Sequence, residues 1–148
     1  GVGGGVGGVG GGAAAGGGGL FARSRDAEAL MAAAHVLNKQ GESAAAAAMF
    51  SYSYALWPQG TALISAANMH AKLGRYGVAA AVLRLALHGG QVTLKPSHRE
   101  IGGRKLEEAE ERHAADVRKL YSLRQAYEAA VEAERARAQA QAAAAAAV

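Results

Sequence analysis

"AKLGRYGVAAAVLRLAL", residues 71–87, decides how the rest of the chain is read, because "NKQGESAAAAAMFSYSY" (38–54), 33 residues earlier, repeats its outline. Gly41 falls under Gly74, Ala46 under Ala79 and Phe50 under Leu83. Working outward, Leu30 and Leu63, Ala33 and Ala66, Ala34 and Ala67, Leu37 and His70, and Ser53 and Ala86 pair at the same offset. Alanine alone would inflate such a tally. Paired glycines between helices and paired large apolar residues would not arise so easily. The offset therefore marks two helical hairpins, about 26–58 and 59–90.

Local signals divide each hairpin into two helices. Asp26 is placed to cap the first, with Glu28 favourable in its opening turn. Leu30, Ala33, Ala34 and Leu37 follow at i, i+3, i+4 and i+7, and Gly41 ends the helix. Ser43 is the expected cap of the second helix, with Ala46, Phe50 and Ser53 facing inward, and "WPQG" breaks the chain at Pro58. Thr61 is the expected cap of the third, whose stripe is Leu63, Ala66, Ala67 and His70. After Gly74 the fourth helix carries Ala79, Leu83 and Ala86 to Gly89-Gly90. With two prolines, few β-branched residues and much Ala, Leu, Glu and Arg, the fold class is all-α.

These residues resemble the tetratricopeptide repeat, whose pattern is Gly-x-Tyr-x-x-Ala-x-x-x-Phe-x-x-Ala-x-x-x-x-Pro. Gly41, Ala46, Phe50 and Pro58 match it, with Ser43 in place of the aromatic and Ser53 in place of the second alanine. The second copy matches at Gly74, Tyr76, Ala79 and Ala86, with Leu83 for the aromatic and no proline. The resemblance covers about 26–90 and implies a right-handed α-solenoid in which the first helix of each pair lines a groove. The groove residues it implies are Glu28, Met31, His35 and Asn38, then Thr61, Ile64, Asn68 and Lys72. Met31 and His35 stand where some members carry a carboxylate-clamping Lys and Asn, so that role is not implied. "LIS" with "AKLGRY" also resembles the pentatricopeptide repeat, which binds single-stranded RNA, though the period is two residues short. "TALISAA" (61–67) is similar to the ankyrin opening, but the helix then runs on to Gly74, too far for that family.

Outside the hairpins the chain changes character. Thirteen of its 21 glycines lie in residues 1–19, which read as a Gly/Ala-rich disordered linker. A Gly-x-Gly-x-x-Gly match at Gly3, Gly5 and Gly8 is trivial in such a tract, with no strand before it and no Gly-Lys-Ser/Thr after it. Residues 91–103 read as a basic connector loop, 104–137 as one long amphipathic, coiled-coil-like helix, and 138–148 as an alanine-rich tail. Leu106, His113, Leu120 and Tyr127 recur every seventh residue in that helix, with Ala109, Asp116, Leu123 and Ala130 between them. Val117, Leu120, Leu123 and Tyr127 form its helix-pairing patch. Two hairpins normally bury too little surface to stand alone, so either 104–131 adds a third layer or a partner completes the stack.

No chemistry of an active site is legible. The chain has no cysteine, and no two of its five histidines share helix-ligand spacing, so neither a metal nor another cofactor is expected. Glu110 and His113 make a single Glu-x-x-His, where a di-iron bundle needs two. Glu107, Glu108, Glu110 and Glu111 are a solvated charge run, and "GESAA" lacks the second glycine of a nucleophile elbow. The reading is of no enzyme. It is of an interaction module or scaffold subunit of a larger complex that binds a peptide or helix of a protein partner.

Charge supplies the competing reading. Residues 61–105 hold seven Lys/Arg against the one acid Glu100, within a chain of net charge +4. Lys72, Arg75, Arg84, Lys95 and Arg99 would serve an RNA partner if they converged on one face. No apolar run reaches the roughly 18–20 residues of a membrane span. The lack of cysteine favours a reducing, intracellular and cytoplasmic setting. The opening Gly in place of Met suggests a truncated N-terminus, which leaves an organelle open.

Overall fold

The computed structural model describes residues 15–148. Among these residues there is no strand. Five helices follow one another, α1 (Ala15–Lys39), α2 (Ser43–Leu56), α3 (Gly60–Lys72), α4 (Tyr76–His88) and α5 (Pro96–Ala146), and each packs on the next. No helix among the described residues is long and apolar enough to cross a membrane. The linker and the glycine motif expected before residue 15 lie outside the described residues, whereas 15–19 belong to α1.

Glycine turns fold the helices back. Gly41 and Gly74 adopt φ of +80° and +72°, the left-handed region that an L side chain enters only with strain. At the first corner the Gly41 N–H donates to the Asn38 carbonyl and the Glu42 N–H to Leu37. At the second, Gly74 donates to Ala71 and Arg75 to His70, the same pair of bonds 33 positions later. Orphan carbonyls at the two helix ends are thereby satisfied in the same way.

Small side chains set the packing. Ala34 of α1, Ala46, Ala47 and Phe50 of α2, and Ala66 and Met69 of α3 form one buried cluster. Leu63, Ile64 and Ala67 of α3 join Ala79, Ala80, Leu83, Ala86 and Leu87 of α4 in a second, which also takes in Leu94 and Ala109. Helix α3 contributes to both, so the two hairpins pack against one another through it. Alanine at these contacts lets helix axes approach closely, and Phe50 fills the remaining space, its burial stabilising by at most about 3 kcal/mol. Ser53, fully buried, donates from Oγ to the Ala27 carbonyl at 2.8 Å and ties α2 to α1.

Several sequence expectations need correction. Asp26 does not cap α1, because the helix-forming run from Leu20 carries it upstream through that residue. Ser43 is the first residue of α2 and Thr61 lies inside α3; Glu42 and Gln59 hold the cap positions without side-chain capping bonds. The inner stripe of α1 runs through Ala27, Met31 and Ala34, leaving Ala33 exposed.

The connector expected over 91–103 ends at Lys95. Pro96 takes a first-turn position of α5 that needs no N–H donor, with Lys95 extended before it. Gly102 then lies inside the helix, because α5 crosses α4 so closely that an added Cβ would come within 3.2 Å of the Leu87 side chain. A similar close approach holds at Gly60, which Leu94 covers. The tail expected over 138–148 continues α5 to Ala146, as alanine propensity favours.

Only the first part of α5 belongs to the packed body. Gly102 and Ala109 are buried and Leu106 packs beside them, while the His113 ring rests over Gly77. Beyond His113 nearly every residue is exposed, and the helix projects for about 50 Å to Ala146 at 1.5 Å per residue.

Candidate functional site

The C-terminal ends of α1 and α3 and the third to fifth turns of α5 converge on one cleft. Asn38 closes α1 just before its glycine corner, and Asn68 and Lys72 lie one turn apart on α3. Lys105, Glu108 and Arg112 follow at i, i+3 and i+7 on α5, beside the stripe that packs against α4, so they face the same cleft. Tyr76, first residue of α4, stands between α3 and α5. The shallow, open space between them is about 420 Å³.

The rim is polar and preorganised. Lys72 donates from Nζ to Asn38 Oδ1 at 2.6 Å. Arg112 donates to the Tyr76 hydroxyl at 3.1 Å, lies over its ring at 5.4 Å from the centroid, and pairs with Glu108 at 3.4 Å. Among the described residues neither Lys72 nor Lys105 is paired with an acid. Three cations thus face one carboxylate, which Arg112 already engages.

The floor is apolar. A narrower hollow of about 70 Å³ opens between Ala67, Ala71, Ala79, Leu83 and Ala109, with Asn68, Tyr76, Lys105 and Glu108 at its edge. It admits one small aliphatic side chain, held beneath a positively charged rim. Peptide recognition commonly combines an apolar anchor with convergent charged groups in this way.

Of the eight groove residues expected from sequence, Asn38, Asn68 and Lys72 meet here. Ile64 does not line a groove: α5 covers it, and it is buried against Leu87 and Gly102. His35 turns toward α2, its ring edge-on to Phe50 at 5.1 Å and 77°. Met31 packs against the first core cluster, Glu28 is exposed and Thr61 half-buried, all three outside the cleft. Tyr76, Lys105, Glu108 and Arg112 were missed as site residues. Their signal was the 105, 108, 112 spacing beside the inner stripe Leu106, Ala109 and His113.

The helix-pairing patch Val117, Leu120, Leu123 and Tyr127 lies on the projecting part of α5, half or more exposed at each position. The five basic residues considered for RNA do not gather. Lys72 and Arg75 lie at the α3–α4 corner, while Lys95 and Arg99 lie at the other end of α4, about 20 Å away along a 13-residue helix. Arg84 pairs with Glu110 at 2.8 Å and Arg99 donates to the Leu87 carbonyl at 3.1 Å. Among the described residues no cluster of His, Asp or Glu has the arrangement to hold a metal ion. No family model, no curated protein and no solved structure matches the chain.

Proposed function

We propose that the chain is a non-enzymatic interaction module that binds an acidic segment of a protein partner, peptide or helix, in the cleft between α1, α3 and α5. The observation that carries this reading is the pairing of an apolar hollow with the Lys72, Lys105 and Arg112 rim. An acidic side chain or terminal carboxylate would be held by the cations and the Asn38 and Asn68 amides, while a neighbouring small aliphatic residue enters the hollow.

The same reading makes α1–α2 and α3–α4 two tetratricopeptide-like hairpins, with the first turns of α5 as the leading helix of a third layer. The matching corners at Gly41 and Gly74 support it. So does the burial of Gly102 and Ala109 against α4, which gives two hairpins the additional layer they need. Such a module acts as a scaffold subunit, joining partners rather than transforming a substrate.

The test is fluorescence anisotropy of a labelled glutamate-rich peptide library, titrated with the full chain against lysine-rich peptides and oligouridylate. Saturable binding of the acidic library, weakened by salt and by Lys72→Glu, is expected. Preference for oligouridylate would replace this reading with RNA binding, and no binding at low salt would remove the cleft as a site.

A further inference from the structure

We infer that the projecting half of α5 pairs antiparallel with the same segment of a second copy of this chain. The surface is continuous with an interface already present. On the packed part of α5 the face against α4 runs Gly102, Leu106, Ala109, His113, at steps of four, three and four. After one extra step of four, from His113 to Val117, the same side of the projecting helix carries its own alternation of three and four through Val117, Leu120, Arg124, Tyr127, Val131 and Glu134, with Leu123 at its border. None of the described residues covers it there: Val117 is 50% exposed, Leu120 65% and Tyr127 70%. A seam with this spacing is what a two-stranded coiled coil buries.

Charge along the seam selects the occupant and its direction. A parallel copy would set Arg124 against Arg124 and Glu134 against Glu134, like charges in a shared seam. Reversed and centred near Ala129, the second copy brings Glu134 opposite Arg124, Val131 opposite Tyr127 and Ala138 opposite Leu120. The positive and negative positions of the seam then neutralise each other twice, once at each side of the centre. Within one chain Arg124 already donates to Glu128 at 2.8 Å, so its guanidinium would lie between two carboxylates.

Sterics fix the register. Sliding the partner one heptad closer would drive its residues 138–146 onto the face of α5 that α4 occupies, beside Gly77 and His113. Centred near Ala129, only the partner's residues 145 and 146 reach the level of His113 and Arg112, where α4 begins, so this is the closest register α4 leaves room for. The two packed bodies then sit at opposite ends of the paired helices. The pairing does not depend on what the cleft binds.

The chain's lack of cysteine makes the test direct. Sedimentation velocity of the full chain over a concentration series should show a monomer–dimer equilibrium. Arg124→Glu should weaken it by about tenfold or more, and adding Glu134→Arg should restore it. Under mild oxidation, a mixture of Leu120→Cys and Ala138→Cys chains should give the mixed disulfide, with little of either homodisulfide. These residues pack on nothing in the monomer, so helicity by circular dichroism should stay unchanged. A monomer at every concentration, a dimer indifferent to Arg124→Glu, or a dominant Leu120→Cys homodisulfide would each overturn the proposal.

Discussion

Lys72 Nζ lies 2.6 Å from Asn38 Oδ1, a hydrogen bond between residues 34 positions apart in the chain. It joins the C-terminal ends of α1 and α3 and fixes the lysine at the mouth of the cleft. Both side chains are accessible, so the bond contributes little to stability and much to where the charge sits. Lys72→Glu should therefore change the unfolding free energy by no more than about 0.5 kcal/mol. It should weaken binding of a glutamate-rich peptide by about tenfold, read by anisotropy. Asn38→Ala should show a smaller loss, because the charge stays but its position loosens.

The two glycine corners offer a test in which space and conformation separate. An added Cβ at Gly41 or Gly74 meets nothing within 4 Å, yet both residues have φ near the left-handed region. Gly41→Ala and Gly74→Ala should each destabilise by about 1–2 kcal/mol through the backbone alone. Gly103→Ala, with open space and ordinary helical φ, should stabilise by about 0.5–1 kcal/mol. Urea unfolding of the three variants checks all of this.

His70 ends the stripe of α3, where the first hairpin has Leu37. Its Nδ1 is buried with no protein partner among the described residues. Burial, and then the charge of Arg75, lowers its pKa from the ordinary histidine value. The unfolded chain therefore takes up a proton first as pH falls through about 6.5. Stability from this site is complete above that value and is lost as pH drops toward the folded-state pKa. His70→Leu should abolish that part of the acid-side loss and raise the unfolding midpoint at neutral pH. Unfolding of both chains at neutral and mildly acidic pH measures the difference.

Gly102 links packing to the site. With an added Cβ only 3.2 Å from Leu87, a larger residue pushes α5 away from α4. Gly102→Leu should destabilise by about 1–3 kcal/mol as an overpacked contact. Since α5 carries Lys105 and Arg112, it should also weaken peptide binding beyond what reduced folding explains. Binding measured at saturating native population, well below the melting transition, separates the two effects.

Sequence periodicity reached the helical elements further than it reached the site. The glycine pair at 41 and 74 and the inner Phe50, Leu83, Ala46 and Ala79 were legible because backbone conformation and burial write directly into residue type. Helix starts were not, since these helices begin without side-chain caps. Gly102 and Gly103 read as a loop because a glycine needed for close helix approach looks the same in sequence as one needed for a turn. Ile64 was misplaced for a related reason: its partner surface comes from α5, whose position over α3 no local pattern encodes. Half of the cleft rim was invisible for that same reason, as Lys105 and Arg112 join Asn68 only once α5 is docked.

The most direct measurement is a ¹H–¹⁵N spectrum of the full chain titrated with a glutamate-rich peptide at low salt. If the cleft receives an acidic segment, shifts should concentrate at the Asn38 and Asn68 side-chain amides and at the backbones of Lys72, Tyr76, Lys105 and Arg112, and should vanish with Lys72→Glu. Shifts spread over Arg75, Arg84, Lys95 and Arg99 while the Asn38 and Asn68 amides stay fixed, or no shifts at all, would contradict it.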